Sequence, residues 1–148
     1  MMVSATIFKQ LGGFDEALGP GAPFRGIEDG DLDYRALCAG YEVVQDPGSS
    51  VLHWGVKEYA SGAARRTIQE YLFSVGAYFV KHSRCWDLIA LCCFVRFLAK
   101  ELWLVAVNLM HNRRPLGAGQ VVNLLHGAWS ATRWPIDRQR RMFRINRT

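Results

Sequence analysis

Residues 87–110 are apolar on most sides, yet Arg96, Lys100 and Glu101 interrupt the run. An unbroken stretch of about 20 apolar residues, the length a helix needs to cross a hydrocarbon core, is therefore missing. Arg96 and Lys100 are four apart and share one stripe of a helix, so the segment reads as a helix lying in an interface or against protein. Upstream, Ile68, Tyr71, Leu72, Val75, Gly76, Phe79 and Val80 follow the i, i+3, i+4, i+7 spacing of an amphipathic helix over 65–81. Downstream, His111 to Gly117 reads as a loop and Val121 to Ala131 as a short helix ended near Pro135. This part of the chain is committed to helices.

The first 60 residues are built differently. Gly12-Gly13, Gly19-Pro20-Gly21, Pro23, Gly26 and Gly30 break residues 12–30 into loop. Met2 to Leu11 reads as a short strand running into a helical turn, with Phe8 and Leu11 facing inward. Asp29 to Ala39 reads as a short helix with Gly40 as its left-handed cap. Tyr41 to Val44 and Ser50 to Trp54 are expected strands, joined by a turn at Asp46-Pro47-Gly48.

Charge divides the chain at the same place. Residues 1–60 carry nine acids against four bases, and residues 61–148 four acids against fourteen bases, so a net +5 conceals −5 and +10. An acidic half suits a metal or an acid/base site, and a basic half suits phosphate or an anionic membrane surface. With 50% hydrophobic and 21% charged residues, disorder is excluded and a packed core is expected. The four cysteines show no CxxC spacing, which argues against a disulfide framework or zinc ribbon and for a reduced compartment. Cys92-Cys93 lies in the apolar run and is expected to be buried and inert. The opening residues lack a basic region followed by an apolar core, so no secretory signal is expected.

The most informative stretch is Gly26 to Arg35, where Glu28, Asp29, Asp31 and Asp33 place four carboxylates within six residues. They repel one another unless a cation, a base or a helix N-terminus offsets them. One reading is a solvated helix start, with Asp29 as cap and Asp31 and Asp33 in the first turn. A calcium loop fails, because Tyr34 stands where glycine is needed and Gly40 where the closing glutamate is needed. The third reading is a catalytic carboxylate at a helix start beneath a glycine-rich loop, where substrate can approach the backbone closely.

The run Phe8 to Glu16 (FKQLGGFDE), then Gly19-Pro20-Gly21 and Glu28-Asp29-Gly30-Asp31-Leu32-Asp33-Tyr34-Arg35, resembles the family 2 glycosyltransferases of the GT-A fold. Ala39-Gly40-Tyr41-Glu42-Val43 and Val51-Leu52-His53-Trp54-Gly55 continue the resemblance in the same order, over residues 3–56. It implies an α/β fold, a partial GT-A domain over residues 1–60, followed by a basic α-helical extension over 61–148 that is membrane-associated. It implies Asp29 as general base in an inverting transfer, removing a proton from an acceptor hydroxyl as that oxygen attacks the anomeric carbon of a nucleotide sugar. Glu28 would hold the loop or touch the acceptor. Gly12, Gly13 and Asp31 would lie in the substrate site, Phe14 would pack, and His53 would ligate a divalent metal, manganese or magnesium. The partners implied are a nucleotide-sugar donor and a glycan or lipid-linked acceptor in cell-surface polysaccharide synthesis, at the cytoplasmic face of the membrane.

The family's N-terminal nucleotide-binding half, with its own DxD motif, has no counterpart here. Asp29-Gly30-Asp31 and Asp31-Leu32-Asp33 spell DxD but follow no apolar strand, so the chain is expected to be a C-terminal half, inactive alone. His82, His111 and His126 show no ligand spacing and read as surface or core histidines. The basic run around Arg138, Arg140, Arg141 and Arg144 reads as a solvated tail or a lipid-headgroup contact, and not as a nucleic-acid site. Trp86, Trp103, Trp129 and Trp134 suit interfacial anchoring, with core packing an equal account of Trp103. The competing function is a non-catalytic, membrane-associated helical module carrying a decayed transferase remnant.

Overall fold

A computed structural model describes residues 2–48, 63–112, 115 and 117–145. Five helices run in order: α1 (Ala5–Gln10), α2 (Glu28–Cys38), α3 (Ala63–Ser83), α4 (Leu88–Asn112) and α5 (Ala118–Thr132). Two short strands, β1 (Ile136–Asp137) and β2 (Met142–Phe143), close the chain as an antiparallel hairpin with Ile136 opposite Phe143.

This is a mostly helical protein, which corrects the α/β expectation of a partial GT-A domain. Residues 5–10 form a helix, so the helical turn expected before Leu11 is present while the strand expected to lead into it is not, and Tyr41 to Asp46 have no ladder partner among the described residues. The strand expected at Ser50 to Trp54 lies outside the described residues.

The helices expected from apolar periodicity form, each a turn or less from its expected ends. α3 packs chiefly against α5, and two glycines set how closely. A Cβ on Gly76 would overlap the Leu124 carbonyl, and one on Gly127 would overlap the backbone of Phe73. The two backbones touch where neither helix carries a side chain. Arg84 stitches the end of α5 to α3, donating to the Ala131 carbonyl at 2.7 Å and the Trp134 carbonyl at 2.8 Å. The Ala131 carbonyl lies in the last turn of α5, where the helix supplies no partner four residues on, and Trp134 lies just past that turn.

The core joins the two halves. Ala17, Leu18 and Phe24 of the glycine-rich loop bury against Ala77 of α3, Ala131 of α5 and Phe143 of the hairpin. Phe24 stacks on Phe143 at 4.6 Å between centroids and meets Trp134 edge-on at 5.3 Å. Truncating a fully buried phenylalanine of this kind costs about 3–5 kcal/mol. The basic tail is thus no solvated appendage: its Phe143 is part of the core, an apolar residue with something to bury.

α4 is the exception to close packing. Its Ala90 and Glu101 are buried, but Leu88, Ile89, Trp103 and Met110 are each about 70–80% exposed. Trp103 is therefore not a core residue, and Cys92 and Cys93 are exposed rather than buried. Sequence periodicity reports which residues are apolar, and only neighbouring elements decide how much of that surface they cover.

Candidate functional site

The four carboxylates at the start of α2 separate into two kinds. The helix begins at Glu28, and Ile27 precedes it in the left-handed region at φ 69°, ψ 13°. Asp29 therefore sits in the first turn rather than at the cap, exposed, with no side-chain partner among the described residues. Glu28 is half-buried and lies against the glycine-rich loop, its Cδ 3.4 Å from where a Cβ on Gly19 would stand. A β-branched side chain at positive φ costs about 1–2 kcal/mol. Ile27 keeps that conformation because its side chain packs on the core.

Asp31 faces the other way. It has no exposed surface, and its Oδ2 accepts from Arg35 Nε at 2.9 Å while its Oδ1 accepts from His82 Nε2 at 2.8 Å and pairs with the Lys81 ammonium. Asp31, expected in the substrate site, is fully buried and anchors α2 on α3. Burial alone would raise its pKa. The His82 hydrogen bond and the charges of Lys81 and Arg35 outweigh it and hold the carboxyl at about 2.

Lys81 carries the linkage further. Its Nζ also donates to Asp15 Oδ2 at 2.8 Å, so one buried ammonium serves both acidic motifs. Asp15 Oδ1 accepts from the Ala17 N–H at 3.1 Å, and its Oδ2 also accepts from the Phe143 N–H at 2.9 Å. Arg35 completes the frame, donating to the Leu11 carbonyl at 2.6 Å and the Gly13 carbonyl at 2.7 Å. Two carboxylates face two permanent cations, which is the condition for holding charge in a dry interior.

His82 is the part that sequence reasoning missed as a member of the site. Burial lowers its pKa, so it is neutral and donates Nε2–H to Asp31. Tyr34 and Tyr78 meet its ring edge-on at 4.7 and 4.8 Å, and its Nδ1 is buried without a hydrogen-bond partner. Two adjacent polar residues at the end of an apolar helix, Lys81-His82, are the only trace it leaves in the sequence.

Gly12 and Gly13 both lie at positive φ, 81° and 78°, where a side chain would be strained. They form the tight turn expected of them, held by the two Arg35 hydrogen bonds. Phe14 is 40% exposed and packs edge-on against Phe8 at 5.2 Å. The structure thus brings Gly12, Gly13 and Asp31 into one rigid frame, with Glu28 at the loop and Asp29 facing out.

His53 lies outside the described residues. Among the described residues no three histidine, cysteine, aspartate or glutamate side chains are grouped to hold a metal ion.

A second polar cluster sits at the other end of α2. Asp87 precedes α4 and caps it, its Oδ1 accepting from the Ala90 N–H at 3.0 Å. Its Oδ2 accepts from Tyr34 Oη at 2.8 Å and Arg141 at 2.6 Å. Although burial works against it, these three donors hold Asp87 at about 2, while burial and the neighbouring Asp87 push the Tyr34 phenol up.

No protein-family model, no curated protein and no solved structure matches the chain.

Proposed function

We propose that the chain supplies the acceptor-side catalytic segment of an inverting sugar transferase, with Asp29 as general base. The observation that carries the reading is the contrast between Asp29 and Asp31. One carboxylate is exposed, with no side-chain partner among the described residues, at the first turn of α2; the other, two residues on, is fully buried and fixes that turn to α3. A general base must be reachable and held still, and these residues divide the two requirements between them. The backbone strain at Ile27, directly before the Glu28-Asp29 pair, supports the same reading, since such strain clusters where geometry is functional.

In the reaction, Asp29 takes the proton of an acceptor hydroxyl as its oxygen bonds to the anomeric carbon of a nucleotide sugar, and the nucleoside diphosphate leaves from the opposite face. The donor nucleotide would be held by protein outside these 148 residues. The divalent metal implied for His53 would draw on ligands outside those described, and no step passes through it.

The test is sugar transfer in extracts of the producing cell, with the native chain or Asp29→Asn in its place. Loss of a general base lowers the rate by about two to four orders of magnitude. A change of less than threefold removes Asp29 from the role.

The reading of a non-catalytic, membrane-associated module is favoured by α4. No helix among the described residues is long and apolar enough to cross a membrane. Yet α4 exposes Leu88, Val95, Leu102, Trp103 and Met110 beside the exposed cations Arg96 and Lys100. An apolar face rimmed by cations suits a helix lying in the headgroup layer of an anionic membrane, here proposed to be the cytoplasmic leaflet. Vesicle binding that falls steeply with salt supports that attachment, and binding that is absent removes it.

A further inference from the structure

The β1–β2 hairpin turn, residues 138–141, lies over the Cys38 end of α2, the end opposite Asp29. Between them is a cavity of about 480 Å³ lined by Arg35, Arg140, Arg141, Gln10, Gln139 and Cys38, among others, and none of the described residues lining it is acidic. We propose that this cavity is a binding site for a phosphoryl group, as free diphosphate or as the headgroup of a lipid. The proposal does not rest on the transfer reading; of these residues only Arg35 also belongs to the frame that holds Gly12, Gly13 and Asp31.

The cations are not equally committed. Arg35 spends its guanidinium on Asp31, Leu11 and Gly13, and Arg141 holds Asp87 with one terminal nitrogen at 2.6 Å. Arg140 makes no side-chain hydrogen bond or short ion pair among the described residues, and it is exposed at the cavity. Asp137, the acid nearest in sequence, spends Oδ1 on the Gln139 and Arg140 backbone N–H groups. One guanidinium fork, with only the longer-range charge of Asp137 to balance it among the described residues, therefore lies beside the unused donors of a second, the pattern that suits a multi-oxygen anion.

Two further observations point to the same place. Arg141 adopts φ 55°, a left-handed state that disfavours any residue with a Cβ, in a turn where glycine would be relaxed. Such strain is retained where it positions a group. At the other wall, the Tyr41 N–H bonds the Ala36 carbonyl and the Gly40 N–H bonds the Leu37 carbonyl, each at 3.0 Å. The Ala36 and Leu37 carbonyls are thereby taken, which reduces the negative charge that this helix end turns toward an anion. Gln10 already accepts from Tyr41 Oη at 2.6 Å, which leaves its amide N–H groups for the ligand.

Cys38 makes the test direct, since its thiol is exposed and lines the cavity, while Cys92 and Cys93 are exposed on α4. Alkylation of the full chain is followed residue by residue by mass spectrometry with inorganic pyrophosphate, with phosphatidylcholine vesicles doped with phosphatidic acid, or with acetate. Pyrophosphate is expected to slow Cys38 at least fivefold and leave Cys92 and Cys93 unchanged. Arg140→Ala, a surface change that loses no side-chain hydrogen bond among the described residues, is expected to abolish that protection, and Arg140→Lys to keep part of it. Protection by the doped vesicles alone assigns the phosphoryl group to a lipid. Equal protection by acetate, equal protection in Arg140→Ala, or none from either phosphoryl source at millimolar concentration overturns the proposal.

Discussion

Asp15 and Asp31 share one cation: the Lys81 ammonium, itself fully buried, pairs with both carboxylates. The glycine-rich loop and the start of α2 are thus held as one piece by a residue from the basic half of the chain. Removing that residue leaves two carboxylates in a dry interior with Arg35 as the remaining permanent cation. Lys81→Met is expected to cost about 3–5 kcal/mol in urea denaturation. Adding Asp15→Asn should return part of the loss, with a coupling above about 1 kcal/mol. Independent, additive effects would mean the three groups do not act as a unit.

Acid should unfold the protein through the same cluster. The Asp31 carboxyl is held at about 2 against an ordinary 3.8, so the folded state binds its proton later than the unfolded chain does. The stability it contributes is complete above pH 3.8 and is lost as pH falls toward 2, on the order of 2 kcal/mol in all. His82 acts in the same direction from higher pH, because the unfolded chain takes up a proton near 6.5 that the buried ring refuses. Stability measured by denaturant should therefore decline in two stages below about pH 6.5. His82→Gln should remove the upper stage.

The contact between α3 and α5 tolerates no methyl group at Gly127. Alanine is the better helix former by about 0.8–1.0 kcal/mol, but here its Cβ overlaps the Phe73 backbone. Gly127→Ala should destabilise by about 3 kcal/mol or more, at the upper end of single substitutions. Gly119→Ala is the control, since on the same helix its Cβ would meet only Gln69 Nε2, at 3.7 Å. That change should be neutral or stabilising by up to about 1 kcal/mol. Thermal melts of the two variants separate close approach from propensity.

Asp29 should matter little to folding. Its replacement by asparagine forfeits a favourable charge at a helix start, about 0.3–1 kcal/mol, and no hydrogen bond among the described residues. Asp31→Asn should be far more costly, since it breaks a buried pair with Lys81 and Arg35. Denaturation midpoints that fall equally in both variants would count against the division of roles between the two carboxylates.

Much of the helical part is legible from residue order. Ile68, Leu72, Val75 and Phe79 repeat at the spacing of a helix face, and α3 forms around them. Gly40, expected as a left-handed cap, lies at φ 85° directly after α2. Gly12 and Gly13 form the turn their pairing suggests. These features depend on neighbours three or four residues away, which one sequence displays.

The sequence by itself determined the acidic motifs, the loop between them, the helices after them and the charge that separates the two halves. It did not determine which carboxylate would be buried. Asp29 and Asp31 are the same residue type two positions apart on one helix, and a helix turns about 100° per residue, so they face in opposite directions. Only the arrival of Lys81 and His82 from α3 made one of those directions an interior. The same holds for the tail, where the fold brings Phe24 to Phe143 and Asp87 to Arg141. Burial and ion pairing are properties of surfaces that come together from distant parts of the chain, and no local pattern of residues records which surfaces those are.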